Sequence, residues 1–347
     1  MIKASNNEYL THRIGMVSKM KEKKIKKVSV IITTYNSSST IMECLESVLN
    51  QNYPNYEIIV TDGGSTDGTI EILSEYPIKY EINKDLNTPA SGRNRAVELS
   101  SGEILVFIDS DCIAKDENWI TVLVRHIKEG IGSVGGPNIT PPTDTFFARA
   151  TGRLLTSFIG GFGARNPAVY NTIKEVEHNP PCNAAVPKNI FRELKGFNSN
   201  LKVAEDLDFD YRLKKKGYKL LYTPDAIVYH KRRTSFVKFI KQMYQYGFWR
   251  AVIGKKYPEL TKIYHHVPTI SVFLFLILII SGIFISVLHK FLIFFIVLYF
   301  LICFYSSILK FLNTKDPSSF LISILAPIEH FSYGFGFLLG KIAGERP

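Results

Sequence analysis

The chain has 347 residues, of which 46% are apolar, 13% aromatic and 21% charged. Two domains and a large core are expected at that length, which excludes a disordered or low-complexity protein. Its 42 Lys and Arg against 31 Asp and Glu leave a formal charge of +11, a surplus that suits nucleic acid, anionic lipid or phosphorylated substrates.

In chain order, a basic segment over residues 1–27 comes first, with Lys19, Lys21, Lys23, Lys24, Lys26 and Lys27 nearly consecutive. It reads as a solvated tail, and residues 1–25 hold no apolar h-region, so no cleavable signal peptide is expected. Short β-branched runs follow at Val28–Thr33, Glu57–Thr61 and Glu103–Ile108, as buried parallel strands require. Between them Thr40–Leu49 puts Ile41, Leu45, Val48 and Leu49 on one helical face, and Thr69–Glu75 and Arg93–Leu99 read as further helices. This alternation implies a right-handed βαβ sheet whose ligand site lies at the carboxyl ends of its strands. Thr34-Tyr35-Asn36, Asp62-Gly63-Gly64-Ser65 and Asp109-Ser110-Asp111 stand at those ends.

Pro137–Pro181 is irregular around an aromatic-rich helix candidate. Asp206–Lys216 is helical by pattern, with Gly217 as its C′ residue. Tyr218–Tyr222 and Ala226–Tyr229 resemble a hairpin around Pro224. From Lys231 to Lys262 nine Lys/Arg meet a single acid, Glu259, which predicts a basic, amphipathic juxtamembrane segment over 236–266. A membrane region is expected over 267–340. Val267–Leu288 is uncharged over 22 residues, about 33 Å as a helix. His289-Lys290 reads as a polar turn before Phe291–Leu309, 19 more uncharged residues. A third apolar segment, 318–340, contains Pro327, Glu329 and His330, and Gly336 and Gly340 have a spacing that permits close helix contact. Cys44, Cys112, Cys182 and Cys303 show no CxxC pairing and no histidine at metal spacing, so they suit a reducing compartment.

Two acidic clusters carry the chemistry. Asp109 and Asp111, one residue apart at a strand end, can both reach one hard cation, Mn²⁺ or Mg²⁺, which in turn holds a diphosphate. Glu205-Asp206-Leu207-Asp208 opens a helix, and crowding of its three carboxylates raises at least one pKa, as a general base requires. His230, at the end of a strand, is a candidate third metal ligand. Asp62 is a candidate partner for a nucleobase or ribose, and Tyr35 either stacks on a base or packs. Asp67 and Thr69 read equally well as loop and cap residues. Arg93 and Arg95 either contact phosphate or organise the loop.

The stretches VSVIITTYNSSSTIMECLESVLNQNYPNYEIIVTDGGSTDGT, SGRNRAVELSSGEILVFIDSDC, PCNAAVPKNIFRELKGF and EDLDFDYRLKKKGYKL resemble, in order and spacing, the family 2 inverting glycosyltransferases. The likeness is strongest to the membrane-anchored succinoglycan-biosynthesis type, which shares the late segment Gln245–Ala251. The resemblance implies an α/β, Rossmann-like GT-A domain over 28–235, a nucleotide-diphospho-sugar donor and a divalent metal. It implies that Tyr35 and Asp62, with Thr34, Asn36 and Gly64 beside them, contact the nucleoside. Asp109 would lie near ribose and diphosphate, and Asp111 and His230 would ligate the metal. Asp206 would be the base that deprotonates an acceptor hydroxyl, while Arg232 and Arg233, with Arg93 nearby, meet the departing diphosphate. Thr33 replaces the usual proline and Ser37 the usual acid. Phe248 stands where the QxxRW signature of processive synthases has arginine, so a single addition is expected.

The expected enzyme is therefore a multi-pass protein of the cell membrane with residues 1–266 in the cytoplasm. It would act on a lipid-linked or glycan acceptor among membrane lipids. A polyprenyl-phosphate glycosyl synthase is the alternative, kept open by Lys231–Arg233. A nucleotidyltransferase would show a GxGxR loop where TTYNSSS stands, and a membrane scaffold would leave the acidic clusters unexplained. Nucleic acid is not an expected partner, because the basic residues gather beside the apolar region.

Overall fold

A computed structural model describes residues 25–160 and 170–343. Most of the basic segment, including Lys19–Lys24, therefore lies outside the described residues. The elements are β1 (Val28–Thr34), α1 (Ile41–Leu49), β2 (Tyr56–Asp62), α2 (Thr69–Ser74), β3 (Lys79–Ile82), α3 (Pro89–Leu99), β4 (Ile104–Ile108), β5 (Cys112–Ala114) and α4 (Trp119–Arg125). They continue with β6 (Ile131–Gly135), β7 (Asn138–Ile139), α5 (Phe146–Leu155), β8 (Lys174–Glu175), β9 (Asn183–Pro187), α6 (Lys188–Glu193), α7 (Glu205–Lys215), β10 (Lys219–Tyr222) and β11 (Val228–His230). Four long helices follow among the described residues: α8 (Phe236–Lys256), α9 (Val267–Phe284), α10 (Ser286–Thr314) and α11 (Ile322–Ile342).

Among the described residues, eight strands form one sheet in the order β3-β2-β1-β4-β9-β6-β10-β8. β1 pairs in parallel with both β2 and β4, so the strand order reverses beside it, and a crevice opens at its carboxyl end. Both faces are covered, which is why these strands are apolar without alternation. Val30 and Ile32 pack with α1 and α4, while Ile31, Ile59 and Phe107 pack with α3, α6 and α7. A second sheet, β5-β11-β7, sits past the end of β4.

Two expectations are corrected. Tyr218–Tyr222 and Ala226–Tyr229 do not form a hairpin: β10 joins the large sheet beside β6 and β8, whereas β11 pairs with β5 and β7. Both segments are short and apolar enough to pair anywhere, and partners distant in sequence took them. The break between the first two apolar helices falls at Ile285, whose backbone is extended, and not at His289-Lys290, which lie in the first turns of α10. A Cβ at Gly282 would stand 3.3 Å from His289 Cα, so the missing side chain permits the tight corner there. Gly217 follows α7 with φ +87°, the left-handed C′ conformation expected of it.

Among the described residues, three helical stretches are long and apolar enough to cross a membrane: Val267–Phe284, Val287–Thr314 and Pro317–Ile342. The third is the most enclosed, because α8 lies along it. Phe239, Met243, Gly247 and Ala251, four residues apart, form the buried face of α8. The two backbones touch: a Cβ at Gly247 would meet Tyr333 O at 2.0 Å, one at Gly336 would meet Tyr244 O at 2.1 Å, and one at Gly340 would meet Phe248 O at 2.3 Å. The GxxxG pair of α11 thus has its partner glycine in the basic helix. At its other end α8 grips the α/β domain, since Asp208 of α7 accepts from Lys256 Nζ (3.1 Å) and Tyr257 Oη (3.0 Å).

Candidate active site

The first two strand ends form one hydrogen-bonded loop pair. The Asn36 N–H donates to Ser65 Oγ (2.7 Å), and Asn36 Oδ1 accepts from the Thr66 N–H (3.0 Å). Asp62 is fully buried. Its Oδ1 accepts from the Gly64 and Ser65 N–H groups (2.8 and 2.7 Å) and its Oδ2 from the Ser65 hydroxyl (2.5 Å), so both oxygens shape this loop. Asp67 accepts from Thr69 and from the Ser38 N–H, the loop-and-cap arrangement. Thr34 is buried and Tyr35 is 64% exposed, open to stacking from solvent.

At the end of β4, Asp109 Oδ1 accepts from Arg93 Nη2 (2.7 Å). Arg93 is buried, and its Nη1 donates to Glu205 Oε1, also at 2.7 Å. The guanidinium thus ties the DSD turn to the start of α7. Arg95 pairs with Glu81 and Glu98.

Asp111 lies 3.4 Å from His230 Nε2 and 3.8 Å from Arg233 Nη1. Burial alone would raise the Asp111 pKa, but the charges of His230, Arg233 and Arg232 outweigh it and hold it at about 2. Burial likewise opposes charge on His230, and Asp111 overrides it, raising the imidazole to about 10. A carboxylate and an imidazole at this separation are donors that suit Mn²⁺. Arg232 donates to Asn138 O and Oδ1, both at 3.0 Å, and its Nη1 stands 3.4 Å from His230 Nδ1. Lys231 instead reaches Glu43, away from the site.

The three carboxylates of the second cluster point three ways. Glu205 faces Arg93. Asp208 is buried under Arg212 Nε (2.7 Å), Lys256 and Tyr257, a structural post. Asp206 faces His178, with Oδ2 3.5 Å from its Nε2. The crowding does raise a pKa, but in Glu205: burial and then the Asp206 charge push it up to about 7 against the pull of Arg93. His178 was not singled out in the sequence. Its Nδ1 lies 2.7 Å from Asp210 Oδ2, which also accepts from the Asn179 N–H (2.9 Å). Burial opposes its charge, yet Asp206 and Asp210 raise its pKa. His178 was missed because a strand, a helix and their connections separate it from its partners, 32 residues away in the case of Asp210, leaving no spacing to read.

A cavity of about 710 Å³ connects these groups. At one end Asp109, Arg93, Glu205, Asp206, His178, Cys182, His230 and Arg232 line it. It continues past Trp249 and Arg250 of α8 and Lys262, Tyr264 and His265 to Glu329, His330 and Tyr333 of α11. Burial and the charges of Arg250, His266 and Lys262 push His265 down to about 3, so Arg250 and Lys262 supply the positive charge of this arm. Thr34, Tyr35, Asn36, Asp62, Gly64, Asp111 and Arg233 do not line this cavity.

The model of the family described as glycosyl transferase family 2 matches residues 29–195. A Methanococcus voltae protein, dolichyl N-acetyl-alpha-D-glucosaminyl phosphate 3-beta-D-2,3-diacetamido-2,3-dideoxy-beta-D-glucuronosyltransferase, is 25% identical over 92% of this chain and 98% of its own. The succinoglycan biosynthesis protein ExoA of Rhizobium meliloti is 28% identical over 64% of this chain and 68% of its own. Among solved structures, a mannosyltransferase of Pyrobaculum calidifontis, in complex with GDP-Man and Mn²⁺, superposes with a TM-score of 0.53. It covers 96% of this chain and 93% of its own at 16% identity, a likeness of fold.

Proposed function

Since the chain belongs to glycosyl transferase family 2 and has the GT-A fold, we propose that it moves one sugar from a nucleotide-diphospho-sugar to a hydroxyl of a lipid-linked acceptor, with inversion. That it is a glycosyltransferase of glycan or lipid-linked acceptors follows from its relatives. The finer reading is carried by one observation: Asp206, Asp109 and His230 open on a cavity that runs on to the apolar helices. An acceptor whose lipid lies among α9 and α11 can present its sugar to Asp206 through this arm. The Methanococcus voltae relative, named for a dolichyl phosphate-linked sugar acceptor, supports the same class.

In this mechanism Asp206 takes the proton of the acceptor hydroxyl as its oxygen attacks the anomeric carbon in line. The bond from that carbon to the diphosphate breaks on the opposite face. Arg232 and Arg233 meet the charge that develops on the leaving oxygen. Asp111 and His230, with Asp109, would hold a divalent ion, which supplies further charge stabilisation to the diphosphate when bound. Arg93 keeps Asp109 and α7 in register, so the metal-side carboxylate and the base move as one unit.

Arg250 and Lys262 in the same arm favour a second reading, in which the acceptor is itself a lipid phosphate. An ionised phosphate needs no base, so Asp206→Asn separates the two. Donor affinity should persist while the single-turnover rate falls by about 10²–10⁴-fold for a hydroxyl acceptor. A loss under about tenfold rejects Asp206 as base and leaves the lipid-phosphate reading. We further propose that residues 1–266 face the cytoplasm, in keeping with the basic stretch beside the first apolar helix.

A further inference from the structure

Two of the four cysteines, unremarkable by spacing, meet in space. Among the described residues, Cys112 Sγ, Cys182 Sγ and a ring nitrogen of His230 lie within 4.8 Å of one another. The fold brings them together from three places. Cys112 opens β5, and His230 faces it directly in the antiparallel β5–β11 ladder. Cys182 closes the group from the turn before β9, where Asn138 Nδ2 contacts its sulfur at 3.4 Å. Asp111 stands beside this three-membered group, with Oδ1 3.4 Å from His230 Nε2 and 3.9 Å from Cys112 Sγ, and can swing in as a fourth donor.

Two thiols, an imidazole and a carboxylate are the wrong donors for Mg²⁺ and the right ones for a tetrahedral thiophilic ion. Bond lengths of about 2.0–2.3 Å in such a site imply donor separations of about 3.3–3.8 Å. The three clustered donors, within 4.8 Å of one another, need about 1–1.5 Å of closure, and side-chain rotation supplies movement of that order. Cys182 and His230 both line the cavity, so an ion has a way in.

We propose that Cys112, Cys182 and His230, with Asp111 as fourth donor, form a binding site for a thiophilic divalent ion such as Zn²⁺. Its occupation withdraws His230 and Asp111 from the hard ion of the transfer reaction. The site itself stands on donor geometry alone, and only the competition rests on the transferase reading. Both thiols lose their protons to solvent as the ion binds, with no change of oxidation state.

The test uses the full chain in detergent, reduced and metal-stripped, titrated with Co²⁺ alone and no sugar donor present. One Co²⁺ per chain is expected, with a thiolate-to-metal charge-transfer band that an equivalent of Zn²⁺ abolishes. Cys112→Ser and Cys182→Ser should each weaken binding by at least about tenfold, while Cys44→Ser and Cys303→Ser leave the band intact. No thiolate band in the reduced wild-type chain overturns the site, and that titration depends on no variant's folding. A band that survives in the Cys112/Cys182 double variant overturns it equally. Zinc should then inhibit sugar transfer by the wild type and lose that effect in Cys182→Ser; binding without inhibition overturns the competition.

Discussion

Replacing Arg93 with methionine tests the link between the two acidic clusters. Arg93 makes two 2.7 Å charge-assisted bonds, to Asp109 and to Glu205, and its side chain is only 6% exposed. At pH 6, Glu205, with a pKa of about 7, is already largely protonated in the folded chain. The variant then loses two hydrogen bonds and leaves Asp109, 28% exposed, to solvent screening, so about 1–3 kcal/mol is expected. At pH 8 the wild type holds Glu205 ionised against Arg93, and removing the cation strands a buried charge or forces a proton onto it, at about 3–5 kcal/mol. The sign follows from linkage. A carboxyl whose pKa is raised from 4.5 binds more protons folded than unfolded, so its contribution to stability falls as pH rises above 4.5 through the folded pKa. Removing Arg93 raises that pKa further and steepens the fall. Thermal unfolding of the purified full chain in detergent, followed by tryptophan fluorescence, should show a Tm loss larger at pH 8 than at pH 6. At about 2 °C per kcal/mol, the two losses should differ by a few degrees. Arg93→Met with Glu205→Gln should bring the pH 8 loss back to the pH 6 value. Equal losses at both pH values, or single effects that simply add, would refute a shared buried charge network.

Asp111→Asn keeps the shape of the side chain but removes a charge beside His230. Calorimetry should show nucleotide-diphosphate binding that no longer gains from Mn²⁺, and an unchanged metal-dependent affinity rejects Asp111 as ligand. Gly336→Leu drives a side chain into the backbone at Tyr244, so α8 and α11 must part, at about 1–3 kcal/mol or more. An unaltered melting temperature in detergent would show that this crossing does not hold the molecule together. Protease added to sealed, right-side-out cells should leave residues 1–266 intact, and cleavage there reverses the proposed orientation.

The sheet and its ligand edge were legible in the sequence because they are local. β1, β2 and β4 are continuous apolar runs flanked by amphipathic helices, and the polar residues follow each run directly. The same holds for the apolar helices, whose length and lack of charge are visible residue by residue. Strand order was not legible, since β10 and β11 carry no mark of which neighbour they pair with, and the expected hairpin failed for that reason. The corner at Ile285 was hidden too, because it depends on how closely His289 passes Gly282. The acidic clusters could be named from composition, but their division of labour came from partners far along the chain. Arg93, 112 residues before Glu205, turns that acid inward, and Lys256 does the same for Asp208, while Asp206 turns to His178. The meeting of Cys112, Cys182 and His230 is of the same kind. Spacing reports a metal-type cluster only when one turn or helix supplies its members, and here three elements separated by 70 and 48 residues do so. Local periodicity thus set the elements and the edge where chemistry sits. Which side chain faces which was decided by long-range packing, because burial leaves each charged group only the counter-charge that the fold brings within reach.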